Sequence, residues 1–339
     1  CVVVKDGKII AKARTGDGGS PHAEKSALDK LVQKARGNAP RGSDLFVTLE
    51  PCSHYGYNPP CADEIIKSQL KRVYIANKDL NPKVAGQGIE KLRSAGIEVK
   101  TGILKKEAIK THLSFFSRIK RGKPIVTLKS AVTMDGKIAL SNGKSKWITQ
   151  DYARRYSQFL RLQNDAILVG NRTIINDDPS LTLRLKGLEN FTPLRVIIDK
   201  NGKISNFSNY KIFSFADKKN IIFSNSELKY PNSKVIKFNS AADILSALAK
   251  KGVMRLLIEG GAATATEFLK AGLIDEIQLI QSPKIFGNDA KGFIAELDLK
   301  DIEESNFYLT RTKRLGNDLV QIYRNKSLDQ FASELEDIV

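Results

Sequence analysis

The stretch TLEPCSHYGYNPPC, Thr48 to Cys61, places eight residues between two cysteines, among them a histidine, two tyrosines and a Pro-Pro step. The chain has only three cysteines in all. A small, odd number argues against a disulfide framework. In a reducing compartment a cysteine pair more often binds metal or does chemistry. Buried thiols remain the plain alternative. A metal needs further ligands, and Pro21-His22-Ala23-Glu24 offers a histidine thirty residues before Cys52. A fold that uses all three must bring a helix start, a strand end and a second helix start to one point.

One imidazole and two thiolates suit Zn²⁺ and leave a fourth tetrahedral position for water. A helix start favours the thiolate form of a nearby cysteine, and zinc lowers the pKa of water to about 7. Glu24, two residues after His22, can reach the site without ligating. A carboxylate there can take a proton and return it to a leaving amine. Taken singly, His-Ala-Glu is an ordinary helical triplet, and a cysteine pair at this spacing is more often structural. Together and in this order they match the zinc nucleobase-deaminase pattern of His-x-Glu followed by Pro-Cys.

At 339 residues the chain is long enough for about two domains. Hydrophobic residues at 41% and charged residues at 27% are globular values. The longest apolar runs are strand-length, well short of the roughly 20 residues of a membrane span, so no membrane partner is expected. The absence of a basic-then-apolar leader, with the cysteine usage, points to the cytoplasm. The chain opens with Cys1 and a strand begins at once, which implies that an N-terminal segment precedes it. The net charge of +18 suits nucleic acid, an anionic surface or phosphorylated small molecules. Its lysines are spread without a dense basic block or an aromatic RNA-binding signature, so nucleic acid is not expected. A lysine-rich solvated surface accounts for the charge equally well.

Periodicity predicts a hairpin of Cys1–Val4 and Ile9–Ala13 around an Asp-Gly turn. A helix follows over Ala23–Ala35, with Ala27, Leu28, Leu31 and Val32 at helical spacing. Then come strand Leu45–Leu49, a helix from Pro60 to Leu70, strand Val73–Ala76, helix Ile89–Ser94 and strand Glu98–Gly102. This is a three-layer α/β pattern. A basic helix, Lys105–Lys120, carries His112, read as structural. The pattern resets at Gly122-Lys123-Pro124. The expected domains are 1–122 and 123–325, with a polar, acidic tail over 326–339 read as a helix or a frayed end. The second domain is predicted to hold strands at Ile125–Val132, Ala166–Val169, Arg195–Asp199, Asn220–Ser224 and Leu256–Glu259. Its helices are Tyr152–Leu162, Ala242–Ala249 and Ala265–Leu269, and strands Glu276–Ser282, Tyr308–Lys313 and Leu319–Tyr323 close it.

At PHAE and TLEPCSHYGYNPPC the chain resembles the bifunctional riboflavin-biosynthesis deaminase/reductase family. Deaminases usually space these cysteines as Pro-Cys-x-x-Cys. The eight-residue gap, with Ser-His and Pro-Pro inside it, is that family's longer form. NKDLNPKVAGQGIEKLRSAGIEV, Asn77–Val99, is similar to the family's Asp-Pro-Asn-Pro-x-Val-x-Gly-x-Gly stretch. The family also carries an N-terminal helix and an Asn-Pro-x-Val-Gly segment ahead of the point where this chain starts. The resemblance implies one Zn²⁺ on His22, Cys52 and Cys61, with Glu24 as proton shuttle. His54 is read as a pyrimidine contact, with a competing ligand and an ordinary loop histidine as alternatives.

No Gly-x-Gly-x-x-Gly follows a strand in the second part, so a Rossmann site is not supported. LLIEGGAATATEFLKAG instead runs strand, Gly-Gly, helix, and exposes N–H groups at a helix start where phosphate can bind. A tight turn needing small residues is the plainer account of that motif alone. Yet LKSAVTMDGKIAL, GKSKWIT, AILVGNRTIINDDPSLTLR, RVIID and LIEGGAATATEF resemble the family's reductase domain over most of Pro124–Tyr323. The resemblance implies a dihydrofolate-reductase-like α/β domain that uses NADPH. It implies a substrate site of Ser145, Arg161, Leu181, Arg184 and Glu259, where Arg forks and a Ser hydroxyl can clamp a phosphorylated ribose. Lys129 is read as a proton donor or phosphate contact, with a surface lysine as the alternative. The implied cofactor side holds Ala131, Trp147, Thr173, Asp177 and Ser224. To these it adds the run Gly261, Ala262, Ala263, Thr264, Ala265, Thr266 and Glu267. Trp147 can flank the cofactor, though a lone Trp is usually core.

The expectation is an α/β protein with a three-layer cytidine-deaminase-like domain followed by the reductase domain. The first would deaminate 2,5-diamino-6-ribosylamino-4(3H)-pyrimidinone 5′-phosphate hydrolytically. The second would reduce the ribosylamino group to ribitylamino with NADPH. Both substrates are phosphorylated pyrimidines, and the family implies a homo-oligomer, a dimer or larger. An RNA- or tRNA-editing zinc deaminase is the main rival; it suits the charge and leaves the second half unexplained. A non-catalytic zinc protein, or a chain in which only the reductase half works, are the others.

Overall fold

Asp6 and Gly7, both at positive φ (48° and 72°), turn the chain between strands β1 (Val2–Lys5) and β2 (Lys8–Lys12). Such a turn matches the twist of the strands it joins. The computed structural model describes residues 1–34, 41–55, 59–82, 84–143, 148–217, 219–298 and 306–339. The chain folds as two compact units, residues 1–120 with 331–339, and residues 121–330.

In the first unit α1 (Ala23–Lys34), β3 (Asp44–Leu49), α2 (Cys61–Lys67), β4 (Arg72–Asn77), α3 (Gln87–Ser94), β5 (Glu98–Thr101) and α4 (Lys105–Phe116) follow the hairpin. The sheet order is β2-β1-β3-β4-β5, with β1 antiparallel to both neighbours and β3, β4 and β5 parallel. Ala27, Leu28 and Leu31 of α1 pack with Leu45, Ile65, Val73 and Leu92, each fully buried Leu or Ile contributing about 1.5–3 kcal/mol. Val32, expected on the same stripe, is 44% exposed because it lies at the margin of that face.

The second unit holds β6 (Ile125–Val132), β7 (Lys137–Ala139), α5 (Asp151–Leu162), β8 (Ala166–Gly170), α6 (Asn171–Asp177), β9 (Leu194–Ile198), β10 (Asn220–Phe223) and β11 (Ser233–Ile236). It continues with α7 (Ala241–Lys250), β12 (Arg255–Ile258), α8 (Ala262–Lys270), β13 (Glu276–Gln281), β14 (Lys291–Gly292), β15 (Phe307–Leu315) and β16 (Asp318–Asn325). The main sheet runs β11-β10-β9-β8-β12-β6-β13-β16-β15 and is parallel from β11 to β13. Its central strands are buried on both faces: Ala166, Ile167, Leu168 and Val169 are all 0% exposed. Such strands read as unbroken apolar runs. The short elements α6, β7, β11 and β14 were not expected.

Of the two readings of the polar tail over 326–339, a helix or a frayed end, the structure has the helix. Residues 326–338 form helix α9 (Lys326–Ile338), whose last part belongs to the first unit. There Leu335, 0% exposed, packs with Leu80, Ile109 and Phe116, and Phe331 and Val339 cover the cluster. The acidic residues that made the segment look like a tail occupy its outer face, as Glu336 does in pairing with Lys106 at 3.0 Å. No helix among the described residues is long and apolar enough to cross a membrane.

Candidate metal centre and reductase cleft

His22 stands just before α1, Cys52 just after β3 and Cys61 at the first turn of α2. One donor atom from each lies within 4.8 Å of the other two. His22 Nδ1 is 3.2 Å from Cys61 Sγ and 3.5 Å from Cys52 Sγ, and the Cys61 N–H donates to Cys52 Sγ at 3.3 Å. A tetrahedral zinc with ligands at about 2.0–2.3 Å has edges of roughly 3.3–3.8 Å, so these donors fit such an ion. His54 is exposed and is not a member of the group, which leaves a competing ligand without support.

The electrostatics suit metal capture. Hydrogen bonds from Cys61 and His22 outweigh burial and hold the Cys52 thiol at about 4. The same contact with Cys52, and burial, push Cys61 up. A dipositive ion in place of the shared proton would let both sulfurs bind as thiolates. His22 is raised mainly by its hydrogen bond with Cys52. Glu24, 6% exposed, faces this cluster from the first turn of α1, and burial pushes its carboxyl up. A carboxyl moved toward neutrality can both take and return a proton.

Glu50 is a further residue of this site that the motif reading missed. Its carboxylate accepts four backbone N–H groups: Asp79 at 3.1 Å and Gly86 at 2.9 Å on Oε2, Gly88 at 2.9 Å and Ile89 at 3.2 Å on Oε1. Thus the strand end carrying Cys52 is tied to the segment Asp79–Ile89. A Cβ on Gly88 would lie 2.0 Å from the Pro51 carbonyl oxygen, so only glycine permits this approach. Asp79 is raised by burial, with the charges of Glu50 and Cys52 adding to it. The signal in the sequence was the Glu of TLEPC together with the Gly-x-Gly of the later segment.

In the second unit Arg161 of α5 and Glu259, just after β12, form a two-toothed ion pair with hydrogen bonds of 2.9 and 2.8 Å. Arg161 Nη1 also donates to the Thr182 carbonyl at 3.0 Å. The fork expected to clamp a ribose phosphate therefore holds Glu259 instead. Arg184 is exposed, and its positive charge, like that of Lys129, acts on Glu259. Lys129 is no surface lysine: it is half-buried on the central strand β6, and burial lowers its pKa. Leu181, 2% exposed, is packed in the core below β8–β10, which its expected place in the substrate site did not anticipate. Ser145 and Trp147 lie outside the described residues.

A cleft of roughly 390 Å³ opens where β8, β9 and β12 end and α8 begins. Parallel sheets bind ligands in crevices at such strand ends. Thr173, Asp177 and the run Gly261–Thr264 line it. Gly261 has nothing within 4 Å of where a Cβ would sit, whereas a Cβ on Gly170 or Gly260 would press on Thr264 at 2.7 or 2.9 Å. Thus two glycines admit the helix and one leaves the cleft open. The other expected cofactor residues are placed differently. Ala265 and Thr266 are buried, Thr266 bonding Ala262 and Ala295 within the fold, and Glu267 is exposed on the next turn. Ser224 is 0% exposed, its hydroxyl 2.8 Å from Ser226 and 3.3 Å from Tyr230. Ala131 is half-buried on β6, paired in register with Ile280.

Residues 1–77 match the cytidine and deoxycytidylate deaminase zinc-binding region, and residues 124–321 match the RibD C-terminal domain. The class is that of a zinc-binding deaminase-type domain joined to a reductase-type domain. The Aquifex aeolicus riboflavin biosynthesis protein RibD is 39% identical over 330 residues, covering 95% of this chain and 90% of that protein. The chain belongs to the RibD family. Among solved structures, Acinetobacter baumannii RibD superposes with a TM-score of 0.86 at 33% identity, over 95% of this chain and 90% of that one. A diaminohydroxyphosphoribosylaminopyrimidine deaminase/5-amino-6-(5-phosphoribosylamino)uracil reductase from Thermotoga maritima does so with a TM-score of 0.82 at 36% identity. That match spans 96% of this chain and 90% of that one.

Proposed function

We propose that this chain catalyses two consecutive steps of riboflavin biosynthesis, as a cytoplasmic homo-oligomer. Its first unit would remove the 2-amino group of 2,5-diamino-6-ribosylamino-4(3H)-pyrimidinone 5′-phosphate as ammonia. Its second would reduce the ribosylamino group to ribitylamino with NADPH. The observation that carries the reading is the meeting of His22, Cys52 and Cys61 donors beside a buried Glu24. His22, Cys52 and Cys61 hold zinc, which when bound makes water nucleophilic at neutral pH. Glu24 moves the proton: its carboxylate takes one as water adds to the amino-bearing carbon, and returns it as the C–N bond breaks. Glu50 holds the Asp79–Ile89 segment beside the site, and His54 on the open side contacts the pyrimidine.

In the second unit the Gly261–Thr264 run and the cleft beside it hold the dinucleotide, which supplies the hydride when bound. Arg161 fixes the charge and direction of Glu259 toward the substrate. Arg184 meets the substrate phosphate, and Lys129 Nζ offers a proton. The test is to assay the two half-reactions separately on the intact protein, ammonia release from the diaminopyrimidine and NADPH oxidation by its deaminated product. Both are expected. Loss of either one removes the corresponding half of the proposal.

A further inference from the structure

The strand ends beside the metal centre have a second face. Glu50 follows Leu49 at the end of β3, and Asp79 precedes Leu80 just beyond β4. The Asp79 N–H donates to Glu50 Oε2 at 3.1 Å, and the Glu50 N–H donates to the Asn77 carbonyl at 2.9 Å. The two ends are thereby one piece, on which Glu50 and Asp79 are 4% and 7% exposed. Their neighbours Leu49 and Leu80 belong instead to the apolar cluster of Ile109 and Phe116 of α4 and Leu335 of α9. Phe331 and Val339, four residues to either side of Leu335, cover the same cluster. That is the spacing of one helix face. The polar clamp and the leucines behind it are adjacent residues, so a displacement of one displaces the other.

This apolar contact is what holds the last part of α9. The helix has 13 residues, a length that is marginal in water by itself. No basic residue stands in its last turn, where the helix dipole would favour one. The Glu336–Lys106 pair joins side chains 35% and 71% exposed, and such pairs contribute little. The helix also lies beyond residues 124–321, which match the RibD C-terminal domain, so the family's reductase pattern does not account for it.

We infer that α9 is a positioning element of the deamination site: Leu335, seated behind Leu49 and Leu80, sets the place of the Asp79–Ile89 segment beside the metal centre. This rests on the reading of the first unit as a deaminase. Truncating Leu335 leaves a space behind Leu80, and partial collapse into it would draw the clamp away from the substrate side. The metal donors come from the start of α1, the end of β3 and the start of α2, so the ion itself should stay in place.

The test compares the intact protein with Leu335→Ala and with Leu335→Met, which keeps most of the volume. In Leu335→Ala the KM for deamination should rise about tenfold with kcat within about twofold, the signature of lost substrate positioning. Amide exchange over 84–89 should quicken at least tenfold, since those N–H groups depend on the clamp. Zinc content and NADPH oxidation should not change, and Leu335→Met should restore both KM and protection. Unchanged KM and exchange in Leu335→Ala would overturn the inference. So would loss of zinc along with activity, which would make α9 a prop for the whole unit. A wild-type protein that releases no ammonia would overturn the deaminase reading and this inference with it.

Discussion

Arg161 grips Glu259 with two parallel hydrogen bonds, Nε to Oε1 at 2.9 Å and Nη2 to Oε2 at 2.8 Å, although they stand 98 positions apart in the chain. Only 10% and 11% of their side-chain surfaces are exposed. Burial pushes the Glu259 carboxyl up, but the charge and hydrogen bonds of Arg161, with Lys129 and Arg184, hold it at about 2. The site therefore keeps a charged carboxylate in a place that would otherwise neutralise one.

That pair sets an acid limit on the second unit. The unfolded carboxyl titrates near 4.5 and the folded one near 2, so its contribution is complete above about pH 4.5 and is lost as the pH falls toward 2. Linkage gives at most about 3 kcal/mol. Glu259→Gln should flatten the acid limb of the urea midpoint against pH. It should also lower the midpoint at pH 7, because Arg161 is left buried and unpaired. An unchanged acid limb would contradict this.

Glu24→Gln keeps the volume of the side chain and removes its proton chemistry. Deamination should fall at least a hundredfold, within the range for a lost general base. Zinc content and NADPH oxidation on the deaminated substrate should not change. Normal ammonia release by this variant would remove Glu24 from the mechanism.

Glu50→Gln tests the clamp. An amide has one acceptor oxygen where the carboxylate has two, so two of the four N–H groups lose their partner, at a cost of about 2 kcal/mol. The first unit should unfold at lower urea and the KM for deamination should rise. The reductase constants should stay as they were.

Much of this was legible in the chain. His22, Glu24, Cys52 and Cys61 could be picked out because their chemistry is rare and their order restrictive. The buried strands announced themselves as apolar runs, β8 and β12 above all. What escaped depends on contacts made across long stretches of sequence. Glu50 drew no role of its own from the sequence, because the four amides it accepts come from Asp79–Ile89, about thirty to forty residues on. Arg161 looked like a phosphate clamp because nothing local tells an Arg that its partner is Glu259. Helix α6 was hidden by Asn and Asp, which favour turns; in α9 the acidic residues hid the apolar stripe that includes Phe331 and Leu335.

Zinc titration tests the central claim most directly. The protein is stripped with a chelator and metal is returned in steps, with ammonia release and NADPH oxidation followed on their separate substrates. Ammonia release should vanish on stripping and return in proportion to zinc, saturating at one ion per chain, with NADPH oxidation constant throughout. Full deamination by the stripped protein, or undiminished zinc-dependent recovery in a Cys61→Ser variant, would contradict a catalytic site built on His22, Cys52 and Cys61.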